Sequence, residues 1–418
     1  MAIMMKPSGG AYLRAPFPTW ISSFSSSEIP SKAQAQALEA LLLNPIRFVP
    51  ASHLTKEDEA KMVQLRPRKI VRKNENARQA RRKQKSQHIS RSWGPLRENG
   101  LRSQGMWNPR VLCYRRSTLQ TLMHLPIFLN WLAEDHRQHQ GLVEAQKCLA
   151  CHLRDLKDSY WQAGTTLGTI KAQLVRIDRL CRNIGWSLPP NTQQDAQEFL
   201  HWIVQTMRSQ LLQQQADIID GMFGIELQSR YKCPRCKRVT QQPSAQELEL
   251  AIQLRPKQKL PSLPNYVKPY FNEVLQGVRC SHCQHQSDKK RTISISLAPD
   301  VLVLPLKRFQ VDHRGSTKIS DKVNFGEKLD LSLYSSELAQ REQGTLKYRL
   351  SSVVHHAGNL HQGHYQNVAK GPDEKWRVLD DAQSSLGKLT HATKPNGNWT
   401  PYILTYVRDD VVTANATP

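Results

Sequence analysis

At 418 residues the chain is long enough for one large domain with an appended tail, or for two to three domains. Its 59 Lys and Arg against 35 Asp and Glu give a net charge of +24, which favours acidic partners such as nucleic acid, an anionic membrane or an acidic protein face. Eight cysteines are too few for a disulfide scaffold. No run of about 18 apolar residues offers a membrane span, and Met1–Lys6 lacks the sustained apolar stretch of a secretory signal, so the chain reads as intracellular and soluble, with no membrane partner.

In chain order, residues 1–35 are rich in Ser, Pro and Gly and read as disordered. Residues 33–65 carry helical patches too narrow for a core of their own. Residues 66–85 hold ten basic side chains and a single acid, Glu75. Three readings stay open for that arm: a solvated basic tail, a nuclear-localisation signal, or a nucleic-acid contact. It contains no aromatic residue, so base stacking is poorly supported. Residues 1–100 are together read as a disordered basic region.

The texture changes near Leu101. Leu119, Leu122, Met123 and Leu125 share a helical face, which Pro126 should end or kink. Helical spacing returns over 142–160 and 169–183. Pro189-Pro190-Asn191 is a break, and Asp195–Leu212 is a strong amphipathic helix with Phe199, Leu200, Ile203, Val204, Met207 and Leu211 on one face. Beyond 223 the pattern shifts to short strands at 225–231, 247–254, 292–297, 301–306, 348–355, 364–369, 376–379 and 401–407. Helices first and strands later predict an α+β fold, and 409–418 is a polar tail.

Cys233-Pro-Arg-Cys236 and Cys280-Ser-His-Cys283 are two Cys-x-x-Cys knuckles in the strand-rich part. Each supplies two sulfurs from one tight turn, and four thiolates suit a closed, structural Zn²⁺ site. The long spacer between them needs strands of its own, for which 247–254 and 270–278 are candidates. His282 and His285 are read as solvated. Cys148 and Cys151 lie within the 142–160 helical pattern and, like Cys181, are read as buried small hydrophobes.

Cys113 precedes a helix, where the dipole stabilises a thiolate. A nucleophilic thiolate also needs an imidazole, and the imidazole needs an acceptor to orient it. Gly363-His364-Tyr365 opens one strand, a turn follows at Gly371–Glu374, and Trp376–Asp381 forms the next. A hairpin of the two would set His364 and Asp380 at the same open end. Glycine before His364 would leave space above the imidazole for an incoming chain.

These segments resemble the ubiquitin-specific proteases. Asn108-Pro-Arg-Val-Leu-Cys113-Tyr-Arg-Arg-Ser-Thr-Leu-Gln120 is similar to that family's Cys box; Gly363-His364-Tyr365 with Trp376 and Asp380-Asp381 is similar to its His box. Gln194-Asp195-Ala196-Gln197-Glu198-Phe199 looks like its acidic helix start, and Val303–Phe309 like its Leu-Lys-Arg-Phe strand. The resemblance spans roughly residues 105–408 and implies a papain-like cysteine protease core at 101–408. A helical thumb, a β palm and zinc-bearing β fingers at about 223–300 would compose it.

The resemblance further implies a thiol-dependent deubiquitinase. Cys113 would attack the carbonyl of ubiquitin's C-terminal glycine, His364 would shuttle the proton, and Asp380 would orient His364. Asn108 would donate to the oxyanion, assisted by Asp381. Asp195 would pair with a basic residue of the ubiquitin tail, with Gly363 and Tyr365 also on the substrate side. The sequence departs from the family at Arg110, Leu112 and Arg116, where Gly, Thr and Asn are usual. Bulk at Arg110 is expected to distort the turn if φ must be positive there. A catalytically impaired ubiquitin-binding protein is therefore the alternative, with a zinc-ribbon nucleic-acid binder behind it. Nucleus and cytoplasm both suit the chain.

Overall fold

The computed structural model describes residues 86, 88–186, 192–256, 261–312, 315–359 and 362–409. The basic arm at 66–85, the unit formed by residues 1–72 and nearly all of the 409–418 tail lie outside the described residues. Packing starts ahead of residue 101. Ile89 is buried, Trp93 and Leu96 lie against the helical core, and Arg91 pairs with the buried carboxylate of Asp300.

Among the described residues, after a short helix at Pro95–Glu98, six longer helices precede the strands: α1 Cys113–Met123, α2 Pro126–Ala133, α3 Leu149–Tyr160, α4 Leu167–Asn183, α5 Ala196–Gln210 and α6 Gln213–Phe223. Every residue of α1 is buried, the polar ones included. A buried polar side chain must find a partner, so this helix is wired as well as packed. Pro126 ends it as expected: α1 stops at Met123, and Leu125 just before the proline is extended. The proline occupies the first turn of α2, where its missing N–H costs nothing and its φ is already helical. Thr166 caps α4 by accepting from the Thr169 N–H, and Asp195 caps α5 by accepting from Gln197 and Glu198.

The helical pattern at 142–160 is only partly realised. Residues 145–147 form a single 3₁₀ turn, and Cys148 caps α3 from outside instead of lying within it. Helix α6 has no counterpart in the sequence reading. Nine of its eleven residues are buried, Gln215, Asp217 and Asp220 among them, so it lacks a simple polar face.

Among the described residues the strands make two large sheets and a two-stranded ribbon of Phe309–Asp312 with Gly315–Lys318. The first contains β1 Ile225–Lys232, β2 Val239–Gln241, β3 Asn272–Arg279 and β4 Gln286–Leu297, in the order β2-β1-β4-β3, with Ala245–Glu247 added to β1. The two Cys-x-x-Cys turns join β1 to β2 and β3 to β4 at one end of this sheet. The second is an eight-stranded sheet containing β5 Val301–Lys307, β6 Lys347–Gly358, β7 Gly363–Lys370, β8 Trp376–Asp380, β9 Gln383–Leu386 and β10 Thr400–Arg408. Its order is β9-β8-β7-β6-β10-β5, then Ile252–Gln253 in parallel, with Lys328–Asp330 paired to β6. The apolar run of β5 is buried on both faces, as an unbroken Val/Leu strand requires. The predicted 247–254 strand shrinks to the two residues Ile252–Gln253.

This is the expected α+β, papain-like arrangement: a helical thumb, a β palm and β fingers. One core joins the helices around Cys113, Leu119, Phe128 and Phe199. The other fills the space beneath the palm around Leu304, Val353, Val368 and Tyr406. Among the described residues no helix is long and apolar enough to cross a membrane.

Candidate active site

Cys113 is the first residue of α1 and only 2% exposed. The helix is docked onto the palm by side chains absent from the motif set. Asn367 on β7 donates to the Ser117 carbonyl at 2.9 Å and to Thr121 Oγ1 at 2.8 Å. Ser351 on β6 donates to the His124 carbonyl at 2.7 Å, where α1 ends. These bonds set the spacing between the thiol's helix and the histidine's strand.

His364 lies near the start of β7, and Asp380 ends β8. The two strands pair from Asn367 with Leu379 to Lys370 with Trp376. Both side chains therefore reach the hairpin's open end, and His364 Nε2 lies 2.6 Å from Asp380 Oδ1. The same imidazole also interacts with the Cys113 thiol. The hydrogen bond to Asp380, and next the hydrogen bond to Cys113, push the imidazole pKa up to about 10. Burial opposes the rise and is outweighed. The structure thus holds an imidazole between a thiol and a carboxylate, over a sequence span of more than 260 positions.

The segment before Cys113 is held from the opposite side. Gly105 passes so close to the Ala382 backbone that a Cβ would collide with it, and the Met106 N–H donates to the Asp381 carbonyl at 2.5 Å. This contact carries Asn108 to Asp381, where its Nδ2 donates to Asp381 Oδ2 at 2.9 Å. Asn108 Oδ1 accepts from the N–H groups of Arg110 and Leu112, both at 3.1 Å. Those two backbone donors orient Asn108, instead of facing an oxyanion themselves. Asp381 adopts a left-handed φ of 48°, and burial raises its carboxyl pKa against the pull of Asn108.

The departures at Arg110 and Arg116 are accommodated. Arg110 is exposed and is not among the positive-φ residues, so the expected distortion of the turn does not occur. Arg116, 1% exposed, donates bidentately to Asp178 on α4 at 2.6 and 3.1 Å, and through Nε to the Trp107 carbonyl at 2.7 Å. Leu112 packs against the helical core.

The expected substrate-side residues also gather here. One oxygen of Asp195 caps α5, and the other accepts from the Tyr402 hydroxyl. Tyr365 is buried, with its hydroxyl bonded to the backbone of Ala196 and its pKa raised by burial. Gly363 is needed for a different reason from open space above the imidazole: a Cβ would strike the His356 ring. Gln193 clamps Gly363 by donating to its carbonyl at 2.7 Å and accepting from its N–H at 2.8 Å. Beside Asp195 stand Glu198 and Glu249, and burial pushes the Glu249 pKa up to about 7.

The knuckle cysteines converge at the fingertip. Cys233 and Cys283 sulfurs are 3.8 Å apart, as are Cys236 and Cys280, and all four lie within 4.8 Å of one another. A tetrahedron with Zn–S bonds of about 2.3 Å has edges of about 3.8 Å. Lys237 and Gln284, each following a knuckle, adopt φ of 60° and 55° and donate to the Cys233 and Cys280 carbonyls at 3.0 Å. Two matching turns present four thiolates to one structural zinc ion. His282 contacts Arg238, outside the cluster.

A buried thiol with an imidazole and carboxylate, set between a helical lobe and an antiparallel sheet, defines a papain-like cysteine hydrolase. Residues 104–406 match the ubiquitin carboxyl-terminal hydrolase family, and the chain belongs to that family of thiol-dependent deubiquitinases. It is 24% identical over 336 residues to a probable ubiquitin carboxyl-terminal hydrolase 16 of Schizosaccharomyces pombe, covering 77% of this chain and 69% of that protein. It is 26% identical over 297 residues to ubiquitin carboxyl-terminal hydrolase 36 of Drosophila melanogaster, covering 66% of this chain but only 28% of the fly protein. Its fold is shared with a chain of the SAGA Ubp8/Sgf11/Sus1/Sgf73 DUB module bound to ubiquitin aldehyde, with a TM-score of 0.63, 24% identity and coverage of 73% and 69%. The same module bound to monoubiquitin gives a TM-score of 0.64 at 24% identity, covering 75% and 70%.

Proposed function

We propose that the chain binds ubiquitin and cleaves the bond after its C-terminal glycine. The Cys113 thiol proton passes to His364, Sγ forms a bond to the glycine carbonyl carbon, and the carbonyl π electrons move onto the oxygen. One Nδ2 hydrogen of Asn108 is engaged by Asp381, and the other supports that oxyanion, a role generally worth about 3 kcal/mol. Collapse expels the leaving amine, which takes the proton held by His364. Water then attacks the thioester as His364 takes one of its protons; the intermediate expels the Cys113 sulfur, which recovers that proton from His364, and the new carboxylic acid ionises to solvent. Asp380 keeps Nε2 engaged throughout, and Asp381 holds Asn108.

Asp195 and its acidic neighbours receive a basic residue of the ubiquitin tail, with Gly363 and Tyr365 shaping the approach. The catalytic body is 101–408 together with the packed residues just before it, and its fingers lie at about 223–300. All eight cysteines are unpaired, which suits a reducing compartment inside the cell.

The observation that carries this reading is the placement of His364 between Cys113 and Asp380. Turnover of a fluorogenic ubiquitin substrate by the full chain, lost in Cys113→Ala, is the expected result. The competing reading, prompted by Arg110 and Arg116, is a silent ubiquitin-binding protein. It gains if the wild-type chain binds ubiquitin but leaves the substrate uncut.

A further inference from the structure

We propose that His136, His139, Cys148 and Cys151 form a second structural zinc site, separate from the fingers. Cys148 caps α3 and Cys151 lies in its first turn. The two histidines come from the segment that leaves α2. One ligand atom from each of the four lies within 4.8 Å of the others. His139 Nδ1 is 3.2 Å from Cys151 Sγ, and His136 Nε2 is 3.4 and 3.7 Å from the sulfurs of Cys151 and Cys148. A tetrahedral zinc with bonds of about 2.0 Å to nitrogen and 2.3 Å to sulfur separates N from S by about 3.5 Å.

The surroundings favour ligation over a chance meeting of core side chains. His139 Nε2 donates to the Val143 carbonyl at 2.7 Å. That bond fixes the tautomer and leaves the Nδ1 lone pair aimed at the sulfurs, as in many zinc-binding histidines. The Cys148 sulfur receives the backbone N–H of Cys151, and the first sulfur of each fingers knuckle receives the N–H of its second cysteine in the same way. His136, Cys148 and Cys151 are buried, and His136 stacks on Trp131 with centroids 5.3 Å apart. Arg154 braces the segment by donating to the His136 and Arg137 carbonyls at 3.1 and 2.8 Å. Thiols are weak hydrogen-bond donors, so a metal supplies what these contacts lack. On binding, each thiol gives up its proton to solvent.

Such an ion would pin the stretch between α2 and α3, which pairs with the end of α5 through the Leu142 N–H and the Gln210 carbonyl at 2.7 Å.

The test is the zinc content of the full chain purified without chelators. Two zinc ions per chain are expected. Cys148→Ser/Cys151→Ser should keep one, and Cys233→Ser/Cys236→Ser should keep the other, so the two sites fail independently. X-ray absorption of the wild-type protein needs no variant to fold: one four-sulfur site and one two-sulfur, two-nitrogen site average to three sulfurs and one nitrogen per zinc. A single zinc in an all-sulfur shell, or a Cys148–Cys151 disulfide found by mass spectrometry, would overturn the proposal.

Discussion

Arg116 on the catalytic helix and Asp178 on α4 form a bidentate ion pair in the interior, with the guanidinium 1% exposed. Arg115 adds a third contact to the same carboxylate at 3.2 Å. The Arg116 Nε also holds the Trp107 carbonyl, one residue before Asn108. A position that looks like damage to the Cys box is therefore a fixture of it. Asp178→Asn leaves two guanidinium groups without their counter-charge and should destabilise the fold by about 3–5 kcal/mol. Arg116→Met/Asp178→Leu, which removes the pair together, should recover much of that loss. Denaturant unfolding measures both, and equal losses in the single and double variants would contradict the account.

His364 is raised to about 10 by Asp380 and Cys113. Because its folded-state pKa lies above the unfolded value of about 6.5, its pairing stabilises fully below that value. The contribution is lost as pH rises through about 10. Replacing Asp380 by Asn removes the largest cause of the rise. NMR titration of the His364 ring should show its midpoint fall, and kcat should drop about 10²- to 10⁴-fold. An unmoved midpoint would mean that the carboxylate does not govern the imidazole.

Glu249 follows the same pH sign from a different cause. Burial holds its proton up to about pH 7, so ionising it costs stability above that point and the cost is relieved as pH falls. A cationic ubiquitin tail reaching this acidic cluster would favour the carboxylate and expel the proton. Calorimetry at neutral pH in buffers of different ionisation enthalpy should therefore find protons released on ubiquitin binding. Glu249→Gln should abolish the release.

Gly363 leaves room for the His356 ring, whose pKa burial lowers to about 3. Gly363→Ala should displace His364 and lower kcat at least about tenfold, since small misplacements of reacting groups are costly. Adding His356→Ala should restore part of that rate. A double variant no better than the single would show that steric relief is not the reason for the glycine.

Much of this was legible in the sequence because its chemistry is local. Cys233, Cys236, Cys280 and Cys283 announce a metal by spacing, and His364 and Asp380 sit at fixed offsets on one hairpin. The alternating and apolar runs of β4 to β8 and of β10 likewise fall where strands form. Asn367, Asp178 and Gln193 were invisible because each acts on a partner from 62 to 250 positions away and belongs to no repeating pattern. In the sequence Cys148 and Cys151 look like helix interior because Leu149 and Leu153 continue the helical spacing. Only the fold brings His136 and His139 to them. Helix α6 was missed because burial of its polar residues erases the two-faced pattern.

The most direct test of the central claim is reaction of the full chain with a ubiquitin bearing a C-terminal electrophile, followed by peptide mapping. The adduct should form on Cys113 alone, and His364→Ala should slow it sharply. An adduct on another cysteine, or none from a folded protein that still binds ubiquitin, would contradict the account.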